Sequence, residues 1–108
     1  MRYVIIDDKM GVFLGTHRLP VSYGSFRIFR IFSENDMYGI SRAFSFDNKK
    51  EAFNYMQSFL LKDYPHCRIV EIPGNGKYVD VVDLIKAGYG RYTEGMWDSL
   101  PMANDTIH

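Results

Sequence analysis

Residues 48–60, NKKEAFNYMQSFL, are the stretch whose apolar side chains recur with helical spacing, and their reading decides the fold class. Asn48 and Glu51 have capping-box spacing, in which a side-chain oxygen accepts from a first-turn amide and the glutamate reaches back. At about 100° per residue, Ala52, Phe53, Met56, Phe59 and Leu60 fall within one sector of about 120°. Lys50, Asn54, Gln57 and Ser58 lie opposite. A helix therefore starts near Asn48. Pro65 is expected to end it, because the residue before a proline is driven out of helical geometry.

On either side of this helix the pattern changes to short β-branched and aromatic runs. Residues 2–7 (RYVIID) and 11–15 (GVFLG), separated by Asp8-Lys9-Met10, read as a β-hairpin. Thr16 to Gly24 holds Pro20 and several polar groups without periodicity and reads as a loop, long enough to be a working surface. Residues 25–33 (SFRIFRIFS) and 40–46 (ISRAFSF) read as a second hairpin closing about Asp36. Residues 67–72 (CRIVEI) form a further strand candidate. Asp80 can cap a short helix through Val81, Val82, Leu84 and Ile85, with Gly88 as its left-handed terminator; a strand over Tyr78 to Val82 competes with it. Strands linked mainly as hairpins, with one main helix, indicate an α+β domain: a mainly antiparallel sheet of four or five strands with the helix packed on one face.

A chain of 108 residues has room for one core, so residues 1–108 are expected to form a single domain, with 103–108 frayed. Sixteen per cent aromatic content lets so short a chain bury much apolar area per residue. The lone Cys67 excludes an internal disulfide and a thiolate-rich zinc site. Stability is left to packing, and a homodimer is one way to extend it. Thirteen basic residues balance thirteen acidic ones, which removes any general pull toward nucleic acid or anionic lipid. Apolar runs are too short for a membrane span, and acids interrupt the start too early for a signal sequence, so a cytoplasmic location is expected.

The chemistry-bearing residues are few. A second hairpin symmetric about Asp36 would set Arg30 opposite Arg42, with Arg27 nearby, among large apolar side chains. Like charges facing each other destabilise a strand pair, so an anion should sit beside them: a ligand phosphate or carboxylate, or an internal acid such as Asp80, Asp83 or Glu71. The alternation of rings with arginines in SFRIFRIF also suits stacking of single-stranded nucleic acid, although two snorkelling arginines on a core strand are the plainer account. His17, His66 and His108 lack metal-ligand spacing, and no cofactor or metal is expected. Within Pro73-Gly74-Asn75-Gly76-Lys77, a phosphate loop would need glycine at Glu71 and Ser or Thr at Tyr78. Tyr89, Tyr92, Met96 and Trp97 cluster late in the chain, where they either close the core or face a protein partner.

The opening MRYVIIDDKMGVFLGTHR, followed later by AFSFDNKKEA, resembles the start of small bacteriophage-encoded accessory proteins. That resemblance implies no catalytic residues; it implies a protein made during infection that binds a host or defence protein. The leading expectation is a non-enzymatic protein-interaction module acting through Tyr89, Tyr92, Met96 and Trp97, or through the loop holding His17 and Arg18. The alternative is binding of single-stranded nucleic acid or a small phosphorylated ligand by Arg27, Arg30 and Arg42 with their neighbouring rings.

Overall fold

The computed structural model describes residues 1–89. In chain order these form β1 (Arg2–Asp7), β2 (Gly11–Ser22), β3 (Ser25–Phe32), a 3-10 turn (Ser33–Asn35), β4 (Arg42–Phe44), α1 (Lys49–Phe59), β5 (Cys67–Ile72), β6 (Tyr78–Asp80) and α2 (Val81–Lys86). Strand order is β3-β2-β1-β5 in an antiparallel four-stranded sheet, with β4 and β6 as a separate antiparallel pair. The α+β class expected from the sequence is what the chain adopts.

RYVIID becomes a central strand because it is apolar on both sides. Val4 and Ile6 enter one core with Val12, Leu14, Ile31, Val70, Ile72, Val81 and Leu84. Ile5 enters the other, with Phe13, Phe32, Phe46, Ala52, Met56 and Leu60. The fold is thus three layers: α1, the sheet, and a cover of β4, β6 and α2. Each fully buried aliphatic side chain on β1 contributes roughly 1.5–3 kcal/mol.

The helix begins where the capping pattern puts it: Asn48 Oδ1 accepts from the Glu51 amide at 2.8 Å. Its last helical residue is Phe59, with Leu60 as the C-cap and hydrogen-bonded turns from Leu60 to Tyr64, so Pro65 comes too late to be the terminator. Ala52, Met56 and Leu60 are buried, but Phe53 and Phe59 are about half exposed, so the buried stripe is narrower than the apolar sector. At the short second helix both readings are partly realised. Tyr78–Asp80 is strand, Val81–Lys86 is helix, and Gly88 adopts φ +92° beyond its end. Asp80 occupies the N-cap position without a side-chain capping bond.

Two expectations about β3 are corrected. The segment from Thr16 to Ser22 is strand rather than loop, and β3 pairs with β2, not with residues 40–46. Arg30 therefore lies opposite Thr16, Arg27 opposite Leu19, and Arg42 opposite Asp80 on β6. The arginines never face each other. The Tyr23–Gly24 connection joins β2 to β3 by only two residues, the length of a tight hairpin turn, and so makes consecutive strands partners. Beyond Phe32 the chain turns away, with Asp36 accepting from the amides of Tyr38 and Ile40 at 2.8 and 2.5 Å.

Candidate functional site: an acid-free β-ribbon and the cleft at its root

β2 and β1 pair at Ile6 with Val12 and at Asp7 with Gly11; the two strands then part. An irregularity between Phe13 and Gly15 bends β2 away. Among the described residues, no strand ladders with the β1-side edge of β2 beyond Val12. The edge of β1 that β2 leaves is taken by Phe46, whose amide donates to the Tyr3 carbonyl at 2.8 Å and whose carbonyl accepts from Tyr3 at 3.1 Å. Arg2 fastens this segment. Its Nε donates to Ser45 Oγ at 2.9 Å, its Nη2 to the Ser45 carbonyl at 3.0 Å, and its guanidinium pairs with Asp47.

Free of β1, β2 and β3 run on as a two-stranded ribbon. At about 3.3 Å per residue, twelve-residue β2 spans about 40 Å, more than the sheet beneath it needs. Between Thr16 and Phe29 every residue is exposed except Leu19, which is partly buried. Residues directly opposite in the register share a face. Arg18, Phe26, Ile28 and Arg30 continue the face that carries Phe32 toward α1; His17, Leu19, Arg27 and Phe29 form the other.

Charge on this ribbon is one-sided. From Gly11 to Ser33 there is no aspartate or glutamate, while Arg18, Arg27 and Arg30 are all there, with His17. None of the three arginines makes an ion pair among the described residues. Rings hold them instead: Arg18 lies 4.5 Å from the Phe26 ring centroid, Arg27 5.8 Å from Phe29, and Arg30 5.2 Å from Phe59 of α1. Arg30 Nε is buried without a hydrogen-bond partner among the described residues. Tyr55 lies near the same guanidinium: burial raises its phenol above the ordinary value, while the Arg30 charge opposes that rise. His17 stacks against Tyr38 with centroids 4.7 Å apart.

Where β2 leaves β1, a cleft of about 480 Å³ opens. β2 contributes Phe13, Leu14, Gly15 and Thr16; Ile40, Arg42 and Phe44 come from β4 and the loop before it; Tyr55 and Tyr78 complete the walls. No acidic residue lines it. Arg42 rests over Tyr78 at 5.3 Å and has no ion pair among the described residues, although Asp80 is its cross-strand neighbour. A Cβ added at Gly15 would meet nothing within 4 Å, so that stretch of backbone borders open space.

The other sequence candidates lie elsewhere. Tyr89 is partly buried against the core beneath α2, its amide donating to the Leu84 carbonyl at 2.8 Å. Tyr92, Met96, Trp97 and His108 lie outside the described residues. His66 is exposed in the turn before β5. Among the described residues there is no group of three or more metal-ligating side chains, and no helix is long and apolar enough to cross a membrane. The ribbon escaped the sequence reading because Pro20 and the polar residues around it looked like a loop; the legible signal was the absence of acids from Gly11 to Ser33. No family model, curated protein or solved structure matches the chain.

Proposed function

We propose that this chain is a binding module whose working element is the β2–β3 ribbon, and that its partner is single-stranded nucleic acid. One observation carries this reading: the ribbon exposes arginines and large rings on both faces and has no acidic side chain along its length. Single strands are held by cations along the phosphates and by rings on which bases stack, a combination that tolerates any base sequence. Phe26 is 56% exposed and Phe29 38%, each beside its own arginine. The neutral net charge does not oppose this, because attraction depends on the local field of the ribbon rather than on the whole-chain sum.

The test is fluorescence anisotropy with labelled oligonucleotides over a range of salt. If Arg18, Arg27 and Arg30 each neutralise one phosphate, the slope of log K against log salt is about −2 for a single strand. The Arg18→Gln/Arg27→Gln double variant should reduce the magnitude of that slope by about 1.4, and Phe26→Ala or Phe29→Ala should each cost about 1–3 kcal/mol if its ring carries a base. Salt-independent affinity, or none, would overturn the reading.

A second reading has its own support. Val21, Tyr23, Phe26 and Ile28 expose a large apolar fraction near the tip, and such a patch also suits a protein groove. This keeps alive the accessory-protein role suggested by the resemblance to bacteriophage proteins. A partner of that kind would be lost on Tyr23→Ser and Ile28→Ser and would be far less sensitive to salt.

A further inference from the structure

We propose that the cleft at the root of the ribbon is a separate site for a small ligand that combines a phosphate with a planar ring, of the size and chemistry of a nucleoside monophosphate. The volume of about 480 Å³ lies within the usual range for small-molecule sites. The polar residues that line it are one-sided in charge: Arg42, Thr16, Tyr55 and Tyr78, with no carboxylate. A planar guanidinium matches two phosphate oxygens, and hydroxyl donors suit the third. The Tyr55 phenol, whose ordinary value near 10 is raised further by burial, is protonated near neutral pH and has a proton to donate. Phe44, partly exposed, supplies an apolar wall over a floor closed by the buried Phe13, and Arg42 is held in place by the Tyr78 ring rather than by an acid that a ligand would have to displace.

This site lacks Arg18, Arg27, Phe26 and Phe29 and meets the ribbon only at its root, where Thr16 pairs with Arg30. The experiment is a titration of the full ¹⁵N-labelled chain with adenosine 5′-monophosphate, adenosine and inorganic phosphate, followed through amide shifts. Adenosine 5′-monophosphate should move the amides of Leu14 to Thr16 and Arg42 to Phe44 along one saturable curve, with adenosine and phosphate each binding at least tenfold more weakly. Arg42→Gln should weaken binding about ten- to a hundredfold, the usual consequence of losing charge-assisted hydrogen bonds. Arg42 is exposed, so that variant should keep the parent spectrum; Tyr55→Phe serves as a second, milder probe. The Arg18→Gln/Arg27→Gln chain should titrate like the parent, which separates this proposal from the ribbon's function. The proposal fails if millimolar nucleotide leaves the cleft amides unmoved, or if Arg42→Gln binds as well as the parent.

Discussion

Gly11 shows how one residue can hold a turn and a core together. It adopts φ +81°, and a Cβ built on it would overlap Ser33 Oγ, the atom that accepts from the Val12 amide at 3.0 Å. Gly11→Ala therefore meets both backbone strain and a steric clash, and it threatens a buried hydrogen bond. The expected loss is about 2–4 kcal/mol, read as a lower urea midpoint with unchanged slope. Cys67 is the opposite kind of residue, a reactive group made inert. Burial, then the charge of Asp7, whose carboxylate lies 3.9 Å from the sulfur, push its thiol up to about 12. At pH 8 its alkylation by iodoacetamide should run on the order of a thousandfold slower than in the urea-unfolded chain, because the thiolate is the nucleophile and its fraction falls by about that factor. The same shift links to stability. The unfolded thiol ionises near 9 while the folded one stays protonated, so the contribution is whole below pH 9 and is lost as pH rises toward 12. Cys67→Ala should flatten the alkaline fall in urea midpoint. An alkylation rate equal to that of the unfolded chain would show the thiol to be unprotected.

At the scale of elements, α1 was the most legible because its signals are local. Asn48 and Glu51 sit three residues apart, and Ala52, Met56 and Leu60 repeat every four. Asn48→Ala should cost about 1 kcal/mol in thermal or urea unfolding, the usual value of a lost N-cap. β5 was equally plain, since CRIVEI is a short apolar run bounded by turn residues, and the β1–β2 hairpin was plain for the same reason. The β2–β3 ribbon was not. Its strands from Thr16 to Phe29 have both faces in solvent, so no alternation of apolar and polar residues is imposed on them, and Pro20 is tolerated because that edge of β2 has no ladder to lose. Residues 25–33 and 40–46 each looked like strands, but a pattern of alternation names no partner. That choice fell to the tight Tyr23–Gly24 connection, and with it went the expected Arg30–Arg42 pair.

For the molecule as a whole, the division follows the range of the forces. The sequence by itself determined the α+β class, the start of the main helix, the hairpin of β1 with β2 and the strand at residues 67–72. Each of these rests on contacts within a few residues, which local composition encodes. Only the tertiary structure decided that β2 parts from β1 after Val12, that Phe46 fills the edge left behind, and that Arg42 meets Tyr78 and Asp80 instead of Arg30. Those outcomes depend on residues about forty positions apart finding one another, and the competition among alternative pairings is settled by packing two cores at once on the faces of β1. The cleft is where that settlement leaves a gap, so no single segment of the sequence carries its signature.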